Sequence, residues 1–155
     1  MPRVAIALGS NLGDRESHLR RAVDGLHAVL DDVLVSTFIE TEPLTLSRQP
    51  PFVNGALVAT TTLTARALLE MLLDLELRLG RLRPFHHAPR TIDLDLIFYG
   101  DQRIIEPGLI VPHPRFRDRR FVLEPLAEIA PDMVDPVSGR TVAELLLDLV
   151  SRGSR

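Results

Sequence analysis

The chain contains no cysteine and no lysine. Without cysteine it has no disulfide, no thiolate nucleophile, no iron–sulfur cluster and no cysteine-ligated zinc site. Without lysine it has no Walker lysine, no protein-kinase lysine and no Schiff-base lysine. All 18 of its basic residues are arginines, so any phosphate group must be bound by arginine or by a metal ion.

Long hydrophobic runs and a strong net charge are also missing. The opening apolar run, 4–8, is too short for a signal peptide, and no stretch reaches the length of a membrane-spanning helix. We therefore expect a cytoplasmic protein with no membrane partner. The net charge of −3 gives no overall positive field for nucleic acid, which is not expected as a partner. At 155 residues, 45% of them hydrophobic, the chain is predicted to form one domain over 1–155.

The hydrophobic periodicity predicts the element order βαββαβ. This order is typical of a ferredoxin-like α+β fold, an antiparallel four-stranded sheet with two helices on one face, in two packed layers. Further C-terminal helices are expected to attach to that core. The predicted strands are 4–8, 33–40, 52–62 and 92–96, and the predicted helices follow residue 14, begin at Thr64, and cover 121–129 and 141–150.

Two aspartates on the last predicted strand form the first candidate for chemistry. Asp93 and Asp95 are two residues apart, so their side chains leave the same face of a strand about 7 Å apart. That spacing is within reach of a shared metal centre. Taken alone, the pair is more often a solvated strand face balanced by arginines.

Two arginine clusters flank the acidic pair in the sequence. Magnesium held by carboxylates, with arginines binding the remaining phosphate oxygens, is a general arrangement for phosphoryl transfer without a P-loop. The alternative is that the arginines only solubilise loops and pair with acids. The clusters consist of Arg78, Arg81, Arg83 and Arg90, and of Arg115, Arg117, Arg119 and Arg120.

Several single residues have two interpretations. Glu76 breaks into the apolar side of its helix and lies either at the edge of the core, which we favour, or toward a ligand. His113 stands between two prolines and is either a phosphate donor or structural. Phe52, Asn54 and Phe121 supply flat rings and an amide that suit a heterocycle, although core packing explains each ring separately.

At this point the sequence resembles a known family. Pro89 and the following 90–95 resemble the P-R-T-x-D-x-D signature of the 6-hydroxymethyl-7,8-dihydropterin pyrophosphokinase family. Further segments resemble that family in the same order, and the resemblance extends from residue 4 to about 135. These segments are 9–13, 41–44, 52–54, and 111–113 together with 119–121.

The resemblance implies a kinase of folate biosynthesis that transfers diphosphate from ATP to 6-hydroxymethyl-7,8-dihydropterin and releases AMP. It implies ATP as co-substrate and two Mg²⁺ ions bound by Asp93 and Asp95. Separately, the isolated fold needs no partner, so we expect a monomer. The resemblance further implies catalytic roles for Arg81, Arg90 and Asp95; pterin contacts for Thr41, Pro43, Leu44, Phe52, Asn54 and Phe121; and ATP contacts for Glu76, Arg83, Arg90, His113 and Arg119.

Two other functions fit parts of the pattern. A nuclease or nucleotide hydrolase with two metal ions would use the same Asp-x-Asp strand, but it does not account for Phe52, Asn54 and Phe121. A ferredoxin-like regulatory or binding module is the non-enzymatic alternative, because that fold hosts many functions. It predicts neither magnesium dependence nor formation of AMP.

Overall fold

A computed structural model describes residues 1–11, 13–41, 51–80 and 92–153, without the side chain of Thr41. A short 3₁₀ turn, Phe116–Asp118, precedes the third helix. The strands are β1 (Arg3–Ser10), β2 (Asp31–Val35), β3 (Ile39–Thr41), β4 (Phe52–Thr60), β5 (Asp93–Tyr99), β6 (Ile104–Glu106) and β7 (Leu109–Val111), and the helices are α1 (Arg15–His27), α2 (Ala65–Arg78), α3 (Arg120–Ile129) and α4 (Val142–Ser151).

The main sheet has the strand order β2–β4–β1–β5, and all of its pairs are antiparallel. The predicted βαββαβ order and the α+β fold class are therefore confirmed. The predicted second strand is divided into β2 and β3, which pair with successive parts of β4. Between them the Ser36 hydroxyl accepts the Ala56 N–H at 2.8 Å. This side chain replaces a backbone acceptor and interrupts the regular ladder.

Local sequence signals set the helix ends. The Asp14 carboxylate accepts the Ser17 N–H at the start of α1, and the Thr64 hydroxyl accepts the Ala67 N–H at the start of α2. These are the N-cap bonds expected for Asp and Thr. Gly80 follows α2 with φ of 96°, a left-handed conformation that glycine adopts without strain. Within the described residues, no helix is both long and apolar enough to cross a membrane.

The predicted core of a sheet with two helices on one face is confirmed, and the attached C-terminal helices cover the other face as a third layer. Helices α1 and α2 pack on one face against Val4, Ile6 and Leu8 of β1. Helices α3 and α4 pack on the other face against Ala5 and Ala7 of the same strand. The third layer forms because the C-terminal helices bury their own apolar stripes on that second face, which an antiparallel sheet would otherwise leave in water.

The β6–β7 hairpin lies beside the outer edge of the sheet. Arg66 of α2 forms an ion pair with Glu106 of the hairpin at 3.0 Å. After β7 the chain returns to β5, where the His113 N–H donates to the Ile97 carbonyl at 3.1 Å. The hairpin and α2 therefore flank the strand that carries the two aspartates.

Candidate active site

The register of the sheet places polar residues from three strands in one row. Gly9 of β1 pairs with Asn54 of β4 on one side and with Asp93 of β5 on the other. Directly paired residues project from the same face of a sheet, and alternate residues along a strand share that face. Asp93, Asp95, Asn54 and Phe52 therefore project from one face, the face that α3 and α4 cover further along.

Gly9 keeps the centre of this row open. A Cβ atom at this position would lie 2.9 Å from the Asn54 Oδ1 atom and 3.8 Å from the Phe52 Cδ1 atom. Both residues sit at the same end of β4, and Asn54 is buried. The missing side chain at Gly9 thus provides a gap bordered by an amide and an aromatic ring.

A cleft of about 300 Å³ opens beside the row, between α2, β5 and the β6–β7 hairpin. Its polar lining contains Glu76, Asp93, Asp95 and His113. Its apolar lining includes Leu69, Leu73, Leu109 and Ile110. The cleft therefore combines a few polar side chains with an apolar wall, as small-molecule pockets commonly do.

Glu76 lies deeper than the favoured interpretation placed it. Its side chain is buried, with 2% of the residue exposed, and its Oε2 atom accepts the Leu94 N–H at 2.7 Å. The preference for the edge of the core is therefore wrong. Helix α2 crosses the start of β5 there, and the carboxylate satisfies a backbone donor between Asp93 and Asp95.

His113 is held in one orientation by the chain around it. Its Nδ1 atom accepts the Arg115 N–H at 3.1 Å, so the proton of the neutral ring is on Nε2. Burial lowers the pKa of His113, and the charges of Arg119 and Arg115 lower it further, whereas Asp93 opposes them. At neutral pH the residue is a neutral imidazole with an Nε2–H donor.

The second arginine cluster divides into structural and site members. Arg117 forms two hydrogen bonds, of 2.6 and 2.9 Å, with the fully buried carboxylate of Asp135. Burial alone would raise the pKa of Asp135, but hydrogen bonds from Arg117, Ser138 and the Val137 amide lower it below its ordinary value. Arg117 therefore anchors the segment before α3.

Arg119 lies beside an aromatic ring at the start of α3. Its guanidinium carbon is 5.6 Å from the centroid of the Phe121 ring, within the range of a cation–π contact. Arg120, by contrast, forms a surface ion pair with Glu124 at 2.9 Å. Of the cluster, Arg119 is thus the member that accompanies Phe121, and Arg117 and Arg120 have partners within the fold.

The structure brings some predicted residues together and leaves others undescribed. Phe52, Asn54, Asp93 and Asp95 share one sheet face, and Glu76, Asp93, Asp95 and His113 share the cleft. The backbone of Thr41 pairs with Phe52, but its side chain is outside the described part. The predicted residues that lie wholly outside the described residues are Pro43, Leu44, Arg81, Arg83 and Arg90.

The acidic residues of the cleft fit magnesium. Asp93 and Asp95 present carboxylate oxygens from a half-buried strand face, and oxygen donors are what Mg²⁺ prefers. Within the described ranges, no group of three or more His, Asp or Glu side chains is arranged to hold an ion. Magnesium in proteins is commonly bound by one or two carboxylates plus substrate phosphates, so a pair is sufficient.

Sequence reasoning missed two residues that shape the site. Gly9 enters the prediction only as part of the segment 9–13, although it alternates with Ala5 and Ala7 on one face of β1. That small-residue alternation is the signal that could have identified it. Asp135, which holds Arg117, has no comparable signal in the sequence because its partner is 18 residues away.

Comparisons with known proteins show the family. The family model of 7,8-dihydro-6-hydroxymethylpterin-pyrophosphokinase (HPPK) matches residues 5–131. The chain is 47% identical over 126 residues to a Bacillus subtilis 2-amino-4-hydroxy-6-hydroxymethyldihydropteridine pyrophosphokinase, covering 80% of this chain and 75% of that protein. It is 41% identical over 146 residues to the Pseudomonas aeruginosa protein of the same name, covering 93% and 90%.

Solved structures agree in fold. A crystal structure of HPPK-DHPS in complex with substrates matches with a TM-score of 0.79 at 13% identity, over 98% of this chain and 44% of that one. A Plasmodium falciparum HPPK-DHPS variant matches with a TM-score of 0.78 at 15% identity, over 97% and 42%. This chain thus spans less than half the length of those two solved chains, and the likeness concerns the fold.

Proposed function

The chain belongs to the 7,8-dihydro-6-hydroxymethylpterin-pyrophosphokinase family, and from this premise we propose how its residues divide the work of the reaction. The protein is an ATP-dependent pyrophosphokinase, a transferase of folate biosynthesis. It transfers the diphosphate of ATP to the hydroxymethyl group of the dihydropterin. The family match covers residues 5–131, so the nuclease and the regulatory-module alternatives are rejected.

Asp93 and Asp95 are proposed to hold two Mg²⁺ ions together with the phosphates of ATP. The support is their common face on an edge strand and the carboxylate-only donor set of the pair. When bound, magnesium neutralises phosphate charge and favours the deprotonated form of a nearby hydroxyl. Asp95 is further proposed to assist by accepting the proton of the hydroxymethyl group, which magnesium would make more acidic.

The pterin is proposed to bind over the Gly9 gap. Asn54 borders the gap and offers both a donor and an acceptor, the pairing that the amide-like edge of a pterin requires. Phe52 and Phe121 would stack on the two faces of the ring system, a favourable arrangement for flat aromatic groups. Thr41, Pro43 and Leu44 are assigned to the same pocket by the family resemblance.

ATP is proposed to occupy the cleft between α2 and the β6–β7 hairpin. The apolar wall of the cleft suits the adenine ring, and Glu76 lies at its base. His113 donates from Nε2, and Arg119 supplies a charge for the phosphates. Arg81, Arg83 and Arg90 are assigned to the phosphates by the family resemblance.

The reaction joins the two subsites. The hydroxymethyl oxygen attacks the β-phosphorus of ATP, an oxygen–phosphorus bond forms, and the bond from the β-phosphorus to the α–β bridging oxygen breaks, which releases AMP. Arg81 and Arg90 are proposed to stabilise the charge on the transferred group. Most of the rate enhancement then comes from positioning and electrostatic stabilisation.

A single domain over 1–155 is proposed to work as a monomer in the cytoplasm. The support is that one sheet and the elements packed on it supply the described residues of both proposed subsites. ATP, the proposed co-substrate, is a cytoplasmic metabolite. Size-exclusion chromatography with light scattering tests the oligomeric state directly.

The assignment is tested with purified protein, ATP, magnesium and 6-hydroxymethyl-7,8-dihydropterin. We expect pterin-dependent formation of AMP, rather than ADP, with a stoichiometric pterin diphosphate. Asp93→Ala and Asp95→Ala should abolish both products, whereas Asp101→Ala, at an exposed turn, should behave like the wild type. ADP as the product, or AMP formation that does not depend on the pterin, would contradict the proposal.

A further inference from the structure

Arg15 connects helix α1 to both sides of the β3–β4 ladder. It is the first residue of α1, and its Nη1 group donates to the Pro51 carbonyl. Its Nη2 group donates to the Glu40 carboxylate at 3.3 Å. The bond to the Pro51 carbonyl is partly buried, whereas the bond to the Glu40 carboxylate is exposed to water. A planar guanidinium can bind two acceptors at once, which an ammonium group does less well.

The two acceptors lie where the ladder of β3 and β4 ends. In that ladder Glu40 pairs with Val53 and Thr41 pairs with Phe52. Pro51 immediately precedes Phe52 and, as a proline, cannot extend the ladder with its own N–H. A strand as short as β3 at a sheet edge opens readily unless side chains support it. Arg15 supplies that support to both strands at the same point.

The support reaches Phe52 from behind the sheet. Arg15 lines an open cavity of about 370 Å³ whose other walls include Phe38, Glu40 and Val53. Val53 lies between Phe52 and Asn54 in β4 and therefore projects from the opposite face. The guanidinium thus holds the backbone that carries Phe52 and Asn54 without entering the face from which those two side chains project.

We propose that Arg15 is a positioning residue for pterin binding, which it supports by fixing the backbone at Pro51 and thereby the ring of Phe52. This inference depends on the proposed function, because it assigns Phe52 to the pterin. Arg15 makes no contribution to the cleft proposed for ATP, whose lining residues lie on α2, β5, the hairpin and the segment after it. Loss of the Arg15 guanidinium should therefore raise the KM for the pterin more than the KM for ATP.

The test compares Arg15→Met with the wild-type enzyme in steady-state kinetics. Methionine keeps the aliphatic stem and removes the guanidinium. We expect the KM for the pterin to rise about tenfold, the cost of one charge-assisted hydrogen bond, with the KM for ATP within about twofold of the wild type. Arg15→Lys should give an intermediate pterin KM, because an ammonium group can replace only part of the two-donor contact of the guanidinium.

The matched control is Arg20→Met on the same helix. Arg20 pairs with Glu16 at 3.5 Å, and its side chain is 71% exposed, so its removal should leave both KM values unchanged. Hydrogen–deuterium exchange of unliganded protein provides a second measurement. The amides of Phe52, Val53 and Asn54 should exchange faster in Arg15→Met than in Arg20→Met, since the end of the β3–β4 ladder opens more often.

The outcomes separate the two proposals. An active wild type combined with an unchanged pterin KM in Arg15→Met would overturn the role of Arg15 and leave the proposed function intact. Equal increases in the KM values for ATP and the pterin would also overturn it, because they would indicate general loosening. A wild type without pterin-dependent AMP would instead reject the proposed function itself.

Discussion

The two faces of the sheet are built from the same strands but have opposite characters. Toward α1 and α2, strand β1 presents Val4, Ile6 and Leu8, which pack in a continuous aliphatic core. Toward α3 and α4 it presents Ala5 and Ala7, and then Gly9, where the proposed site begins. At β1 the large side chains on one face leave no room for a ligand, whereas Ala5, Ala7 and the missing side chain of Gly9 keep the other face open.

Side chains alternate between the two faces along a strand, so β1 can contribute to stability with one set of residues and to binding with the other. Leu8 and Gly9 are neighbours in the chain, yet Leu8 is buried in the aliphatic core and Gly9 lies between Asn54 and Asp93. Substitutions in β1 on the face toward α1 and α2 should therefore change the free energy of unfolding. Substitutions on the face of the site should change activity.

The largest expected effect follows removal of a carboxylate from the site face. Asp95→Ala should lower the rate of AMP formation by at least about a thousandfold at saturating magnesium, because the variant loses metal binding and the proposed base together. Circular dichroism should show an unchanged fold. A variant that retains more than about a tenth of the activity would show that Asp95 is not needed.

The next effect concerns the opposite face and should be thermodynamic. Leu8→Ala removes a buried side chain, 2% exposed, and should lower the free energy of unfolding by about 2–5 kcal/mol. Urea denaturation measures the loss, and the KM values of the folded fraction should not change. Ile105→Ala, at a residue that is 86% exposed, serves as the control. A large change in the pterin KM of Leu8→Ala would break the separation between the faces.

Gly9→Ala should have a smaller effect that is confined to the pterin. The added Cβ would lie 2.9 Å from the Asn54 Oδ1 atom, so the amide must move and the gap narrows. We expect the pterin KM to rise about tenfold or more, the equivalent of one displaced hydrogen bond. The loss of stability should be smaller than at a core glycine, because the new Cβ comes within 3 Å of only one side-chain atom.

A matched glycine on the other face controls for that steric effect. Gly25 of α1 would place a Cβ 2.7 Å from the Leu75 Cδ1 atom of α2. Gly25→Ala should therefore reduce stability through overpacking and leave the pterin KM unchanged. Equal increases in the pterin KM for Gly25→Ala and Gly9→Ala would show that the effect on pterin binding is not confined to the Gly9 face of the sheet.

The smallest effect is a pH dependence of stability at His113. Its pKa in the folded protein is lower than the ordinary value of 6.5, chiefly because of burial. Below pH 6.5 the unfolded chain binds this proton more readily than the folded protein, so the free energy of unfolding falls as the pH drops toward the folded pKa. Urea denaturation of metal-free protein at several pH values measures this dependence. It should disappear in His113→Gln and remain in His27→Gln, which changes an exposed residue.

Much of the fold could be predicted because its signals are local. The cap at Thr64, the glycine after α2 and the alternation at 93–96 each depend on residues within a few positions of one another. The alternation ends at Ile97, after which β5 is buried on both faces. This change could not be predicted from the sequence near β5, because the covering helices α3 and α4 follow more than 20 residues later.

The candidate site was predictable in its residue types but not in its arrangement. The Asp93 and Asp95 pair follows from the period of a strand, and the family signature includes it. The burial of Glu76 was not predictable, because it depends on where α2 crosses β5 and on the Leu94 N–H. The division of the second arginine cluster likewise depends on Asp135, which lies beyond α3.

By itself, the sequence determined the order of the elements, the shared face of the two aspartates and the family, since each is encoded in contiguous residues. Only the tertiary structure decided that Gly9 stands between Asn54 and Asp93, that a third layer covers the sheet and that Arg15 reaches Pro51. The physical reason is that strand register and helix packing are settled by contacts between distant segments. No local pattern contains the energies of those contacts.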